Sequence, residues 1–400
     1  MLVDVDLAHM DRPLDYVVPD RFIDEAEVGR AVRVRFSGTR VDGWIVERTR
    51  RDVLDDAAQI ESVSSALPVL TPALYEAARR IATRFLATTS QVLSLAIPPR
   101  HARGEKTVLQ AHDSMWPSVD APTVSEGWAS YRAGDALLHR LASGESPRAV
   151  VTALRPQMRA CLSDAVAATV SSGRSAIIVA ATGEDAARYA RALEEDLGVP
   201  VAVTGGEVAP EERYRIHAAA TLGRLPIVVG TRSAAWVPCA KLGLIVICDD
   251  GDDRLRERRF PRCDVLDIAV QRCAVEGAGL LVASFARSVK AQALVRSGWA
   301  ASLDPVPGAL RDATPRVHLH GATEAEREGA SGHMRIPPAA LRMIRQGLRE
   351  GPVLIQVAVS GYWPTVVCRR CGERAQPFDG CHSKGEFGSS RYSARSGGIG

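Results

Sequence analysis

The chain has 400 residues, with 50 Lys and Arg against 47 Asp and Glu for a formal net charge of +3. That length allows two to four domains with buried cores, and 46% apolar with 24% charged residues excludes wholesale disorder. The near-neutral sum argues against a nonspecific polycation; no apolar run reaches membrane-spanning length, and Asp4 and Asp6 straight after Met1 leave no secretory signal, so the chain is expected to be cytoplasmic.

Residues 1–100 read as a small β-rich unit. Val3, Val5 and Leu7 alternate with Asp4, Asp6 and Ala8 in the pattern of a half-buried strand. Val32, Val34 and Phe36 repeat it against Arg33 and Arg35, Ser37-Gly38-Thr39 signals a turn, and Trp44-Ile45-Val46 begins the return strand. Thr71 to Leu93 has helical spacing behind a Thr71-Pro72 cap, and Pro98-Pro99 closes the unit. Residues 101–145 read as a linker with one short helix near Ala133–Leu141.

Over residues 146–310 the rhythm changes. Apolar runs at Ala149–Leu154, Ala176–Ala181, Val199–Val203, Ile227–Gly230, Leu242–Ile247 and Leu280–Ala283 alternate with helical stretches. The stretches are Asp185–Leu197, Glu211–Ala220, Val265–Val275 and Val289–Val295, the alternation of a parallel sheet covered by helices on both faces. Residues 311–376 begin a further α/β fragment, with strands at Val317–Leu319 and Val353–Val359 around a helix at Pro338–Leu348. Residues 377–400, rich in Gly and Ser, read as a disordered tail.

In an NTPase of this layout, the turn after the first strand carries GxxxxGK[ST]: backbone N–H groups cradle phosphates, Lys neutralises them and a hydroxyl binds Mg²⁺. Here the turn Thr152–Arg159 has neither Gly nor Lys, and Pro156 lacks an N–H. The four lysines, Lys106, Lys241, Lys290 and Lys384, never follow a glycine, so such a loop is absent from the whole chain. Leu244–Asp253 has the outline of the second NTPase element, an apolar strand ending in acids; a solvated acidic turn and a relic metal site both fit it. Five of the eight cysteines, Cys161, Cys239, Cys248, Cys263 and Cys273, stand singly and are expected to pack as small hydrophobes. Only Cys368 and Cys371 form a CxxC, which in a cytoplasmic chain suggests a metal or redox role.

At Leu14-Asp15-Tyr16, Val32–Gly38, Ile227–Ala234 and Val367–Gly372 the chain resembles the primosomal protein N′ (PriA) family of replication-restart DNA helicases, from residue 2 to about Gln376. The resemblance implies a multidomain α/β fold: a small β-rich domain that binds the 3′ end of DNA, a RecA-like parallel lobe, and an incomplete second lobe. It puts the 3′-end pocket at Leu14, Asp15, Tyr16 and Gly38. Tyr16 can stack on a base, Asp15 can accept from the terminal hydroxyl, and a glycine lets backbone approach the sugar. Leu14 stands where relatives carry a ring, and Glu61 about where they carry a basic residue.

Against the same pattern, Met158 and Arg159 fall roughly on the phosphate-binding Lys and Thr, and Cys248 on the Mg²⁺-binding Asp. Asp249 and Asp250 fall on the two Glu and Gly251 on the His, a degenerate nucleotide site like that of the divergent, ATPase-less members. With both phosphate neutralisers gone, neither ATP binding nor hydrolysis is expected. Cys368 and Cys371 match the first pair of the family's zinc region, but Pro377 stands where the next Cys is expected. A zinc ion would have an incomplete ligand set, with only Cys381 and His382 to add. The pattern stops there, as in a truncated or frame-shifted product.

The function this implies is a DNA-binding replication-restart, or primosome-assembly, factor that recognises stalled forks and 3′ ends, with other primosome proteins as partners and neither membrane nor enzymatic turnover. The run Arg254–Arg259 either tracks phosphates or forms a solvated face. Two readings stay open beside it: an active ATP-dependent 3′–5′ DNA helicase of the same family, and a nonfunctional truncation product. A small-molecule enzyme using Asp249, Asp250 and Thr231-Arg232-Ser233 has no nucleophile, base or cofactor fingerprint behind it.

Overall fold

Pairing begins at the second residue of the chain. In this computed structural model, which describes residues 1–50, 58–111, 116–122, 126–329, 336–356, 366–368 and 392–394, β1 (Leu2–Val3) lies antiparallel to β3 (Thr39–Trp44). With β2 (Ala31–Phe36) and β4 (Ile60–Val63) they form a four-stranded sheet in the order β1-β3-β2-β4. Val32 and Val34 are buried while Arg33 and Arg35 face solvent, the two-residue period of a half-buried strand. The expected strand over residues 3–8 stops at Val3 because the Asp4 and Asp6 carboxylates turn away, accepting from the Ser90 hydroxyl and the Gln91 amide. The return strand starts at Thr39 rather than Trp44: Ser37 and Gly38, with φ of +47° and +80°, make a two-residue hairpin loop that lets pairing resume at once.

The helical spacing from Thr71 to Leu93 resolves into two helices, α1 (Pro72–Phe85) and α2 (Thr89–Ala96). Leu86 takes φ +54° and ends the first, and a Thr88–Gln91 capping box starts the second. The stretch read as a linker contains α3 (Ala102–Gln110) as well as the expected α4 (Gly134–Ala142). The buried Glu105 pins α3 in place: it accepts from the Tyr214 hydroxyl at 2.9 Å, from the Ala66 N–H at 2.9 Å and from Arg100 at 2.5 Å.

The remaining strands of this unit are β5 (Arg148–Thr152), β6 (Ser175–Val179), β7 (Ala202–Thr204), β8 (Ile227–Gly230), β9 (Leu242–Cys248), β10 (Gly279–Ser284) and β11 (Ala301–Leu303). They form one parallel sheet in the order β11-β5-β10-β9-β6-β8-β7, linked by α5 (Arg155–Ser171), α6 (Gly183–Leu197), α7 (Pro210–Thr221), α8 (Val265–Glu276) and α9 (Val289–Arg296), and followed by α10 (Pro307–Ala313). Helices cover both faces, so successive strand residues feed two cores. Ile178, Val246 and Leu281 join residues of α5 and α6, while Ile177, Val179, Ile245 and Ile247 face α8. That second core runs on without a break to Leu2, Trp44, Leu74 and Ile81, so the antiparallel sheet's helices and the parallel sheet are packed together rather than joined by a linker. Arg84 at the end of α1 bridges Asp267 of α8 at 2.9 Å, and Lys290 of α9 meets the same carboxylate at 2.6 Å. The five single cysteines are all buried; burial above all pushes the Cys161 and Cys239 thiols up to about 12.

The chain divides into two compact units, Met1–Pro315 and Arg316–Gly400. The second holds α11 (Ala322–Arg327), α12 (Pro338–Glu350) and an antiparallel pair, β12 (Val366–Cys368) with β13 (Tyr392–Ala394). Val317–Leu319 and Val353–Gln356, expected in strands, belong to none; Val317, Leu319 and Leu354 are exposed, so burial gives their apolar pattern no sheet to join. Residues 357–359 lie outside the described residues, as does most of 377–400, where β13 occupies part of the stretch read as a disordered tail. Among the described residues no helix is long and apolar enough to cross a membrane.

Candidate nucleic-acid interface

Three of the residues at the rim of the antiparallel sheet are brought together by the hairpin and by an irregularity beside it. Gly38 sits at the tip of the β2–β3 loop with open space where a side chain would go. Tyr16 is half-buried and its hydroxyl donates to the Arg35 carbonyl at 3.3 Å; burial raises its pKa. Arg35 in turn reaches the Gly38 carbonyl at 3.4 Å. Leu14 is half-buried, tied through its backbone to Met1, whose ammonium donates to the Leu14 carbonyl at 2.6 Å. Asp15 is exposed between them, and its charge acts on that ammonium, whose pKa burial nevertheless lowers.

Sequence reasoning missed Arg35 and Arg40 as members of this rim, because alternating arginines on an exposed strand face carry no signal beyond polarity. Glu61 accepts from Arg35 Nε at 3.0 Å and from Arg40 Nε at 2.6 Å, which holds its carboxyl below the usual range. The rim therefore offers an aromatic ring, an exposed carboxylate at Asp15, a bare glycine turn and two arginines shared by one acid.

The second candidate lies at the carboxyl ends of the parallel strands, where open α/β sheets place ligands. The turn from β5 to α5 is only two residues long, Ala153 and Leu154. Its donors are spent inside the protein. Ala153 N–H donates to the Ser284 carbonyl at 2.9 Å, Leu154 N–H to the Tyr131 hydroxyl at 3.2 Å, and the Gln157 and Met158 N–H groups to the Leu154 carbonyl at 3.2 and 3.0 Å. The Tyr131 hydroxyl donates onward to the Thr152 carbonyl at 2.9 Å, and burial pushes its pKa up to about 12, so it stays protonated. The ring packs against Trp128 at 5.2 Å, and Trp128 Nε1 donates to the Cys161 carbonyl at 3.0 Å.

Met158 packs at the edge of the α5–α6 core. Arg159 turns away toward α6, binding Asp196 at 2.7 Å and Glu195 at 2.9 Å, and these hydrogen bonds raise its pKa. Cys248 is buried at the end of β9, hydrogen-bonded with Tyr189 of α6, and burial lifts its thiol to about 12. Asp249 follows with φ +56°, the Asp250 carboxylate accepts from the Ser284 hydroxyl at 2.5 Å, and Gly251 is exposed with open space at its Cβ position. The β5–α5 turn itself carries neither lysine nor an uncommitted N–H at Ala153 and Leu154, and the residue that ends β9 is a buried thiol rather than an acid.

A broad groove of about 1000 Å³ opens beyond β6, β7 and β8, lined in part by Thr231, Arg232, Arg213, Arg254 and Arg259. Its charge is partly cancelled: Arg232 meets Glu257 at 2.9 Å and Arg254 meets Asp252 at 2.6 Å. Cys368 ends β12, and Cys371, Cys381 and His382 lie outside the described residues.

A family model described as the PriA 3′ DNA-binding domain matches residues 2–98. Over 371 residues the chain is 37% identical to proteins of Mycobacterium bovis and Mycobacterium tuberculosis described as probable replication restart protein PriA, covering 91% of this chain and 56% of each of theirs. A replication restart protein PriA of Rickettsia felis is 19% identical over 366 residues, 90% of this chain and 54% of that one. The chain thus spans about half the length of the curated relatives it matches. Among solved structures, RecG bound to a three-way DNA junction aligns with 70% of this chain and 33% of its own at a TM-score of 0.35 and 13% identity, too distant to bear on function.

Proposed function

The chain belongs to the family of replication restart protein PriA, and on that premise we propose that it binds DNA forks and free 3′ ends as a replication-restart factor without hydrolysing ATP. One observation carries the proposal: the segment matched to the 3′ DNA-binding domain places Tyr16, Gly38 and the exposed Asp15 on one rim of the antiparallel sheet. A terminal base stacks on the Tyr16 face, the sugar approaches the bare Gly38 turn, and the 3′-hydroxyl donates to Asp15. A blocked or absent 3′ end leaves that carboxylate without its donor. The arginine-lined groove beyond β6 to β8 adds sequence-independent phosphate contacts, so affinity falls steeply with salt.

The absence of turnover rests on the β5–α5 turn. Phosphoryl transfer needs donors and cations aimed at the transferring phosphate, and here Tyr131, Ser284 and the helix's own carbonyl take the donors. The parallel lobe then acts as a rigid support, sharing its core with the helices behind the DNA-binding sheet. Delivery of the bound fork to other primosome proteins completes the proposed role. Comparing binding to a linear single strand with a free 3′-hydroxyl and to a circular strand of the same length tests it; equal affinities refute it.

A further inference from the structure

Glu61 owes its position to a register shift. Arg33 pairs with Ser62, yet Val34 pairs with Ile60, so Glu61 is the extra residue of an irregularity between β2 and β4. Such bulges bend a strand and re-aim a side chain, and this one aims the Glu61 carboxylate at the hairpin tip. There it takes one guanidinium on each oxygen, Arg35 at 3.0 Å and Arg40 at 2.6 Å. The two arginines face each other across the hairpin next to its Ser37-Gly38 tip, and Arg35 alone touches Tyr16 and Gly38. Glu61 is 24% exposed while both arginines are 62% exposed, so the acid lies between them as their shared, partly covered partner.

We infer that Glu61 is the residue by which this rim selects a 3′-hydroxyl and rejects a 3′-phosphate, because it engages the two guanidinium groups that would otherwise receive a terminal phosphomonoester. This rests on the reading that the rim binds 3′ ends. A 3′-phosphate carries about −1.5 to −2 charges at pH 7, and it meets two carboxylates, Asp15 and Glu61, with both arginines already paired. A hydroxyl carries no charge for the carboxylates to repel and donates to the exposed Asp15. The ligand class is therefore a strand end made by a polymerase or by cleavage that leaves a 3′-hydroxyl, and excludes ends left by cleavage with 3′-phosphate.

Glu61 acts here as a positioning and specificity residue, and the readout is a ratio rather than an affinity. Fluorescence anisotropy of the full chain would compare three strands of one sequence: 3′-hydroxyl, 3′-phosphate and circular. Exposed charges a few ångströms apart in a water-like dielectric act by a few-fold, not by orders of magnitude. The expected result is a wild-type preference for hydroxyl over phosphate that shrinks about threefold or more in Glu61→Gln, survives in Glu61→Asp, and is untouched by Glu27→Gln, which removes an equal charge paired with Arg30 at 2.8 Å on another part of the domain. An unchanged ratio in Glu61→Gln, or an equal change in Glu27→Gln, overturns the inference. If the circular strand binds the wild type as well as the linear one, it is the 3′-end reading itself that fails.

Discussion

Removing one oxygen from Tyr131 should expose how the β5–α5 turn is held. In Tyr131→Phe the ring stays 97% buried against Trp128, so apolar packing is unchanged and only the hydroxyl is lost. The buried Leu154 N–H then has no acceptor in place of its 3.2 Å bond, and the Thr152 carbonyl loses a donor at 2.9 Å. A buried donor left unpaired costs about 1–3 kcal/mol, more than the net worth of an ordinary hydrogen bond, because its desolvation is no longer compensated. Since that turn joins the central sheet to α5, the loss should appear in global unfolding. Urea denaturation followed by circular dichroism should show a lower midpoint with an unchanged slope, and a melting temperature lower by a few degrees. A change below about 0.5 kcal/mol would mean that the turn does not depend on the Tyr131 hydroxyl, and the account of a turn whose donors are taken inside the protein would fail.

Two further outcomes follow from buried groups. His217 is neutral in the folded chain, its Nε2 donating to the Val69 carbonyl at 2.7 Å, and burial holds its pKa down to about 4. The unfolded imidazole titrates near 6.5, so between these values the unfolded chain binds the extra proton and stability is lost as pH falls, by about 3 kcal/mol across the window. His217→Gln should flatten the pH dependence of the urea midpoint between pH 7 and 4.5; parallel curves for both proteins would contradict this. Millimolar Mg–ATP should leave the melting temperature within about 1 °C, whereas a ligand at a hundred times its Kd would add about 2.7 kcal/mol and move it by several degrees.

Much of the parallel lobe was legible because burial on both faces forces continuous apolar runs, and Ile227–Gly230 and Leu242–Ile247 are such runs. One edge strand was not: Ala301–Leu303 is three residues with two exposed, too short to carry a period. The break between α1 and α2 was hidden because Leu86 and the Thr88 cap fall on the helical spacing of the flanking apolar residues. At the candidate sites the sequence disclosed what was missing, the Gly-Lys step, but not what replaced it. Tyr131 lies 23 residues before the N–H it accepts, and such a contact has no local pattern. Likewise Glu61 could be marked as a departure at its position, yet its grip on Arg35 and Arg40 depends on a register shift that appears only when the strands pair.

The most direct test of the central claim is the affinity of the full chain for a fork whose nascent leading strand ends in a 3′-hydroxyl at the junction, against the same fork with that end blocked by a bulky 3′ group. The account predicts tighter binding to the free end by about tenfold, matching the loss of one hydrogen bond to a charged acceptor of about 1.5 kcal/mol, with the difference abolished in Asp15→Ala. Equal affinity for the two forks, or a preference that persists in Asp15→Ala, would contradict it.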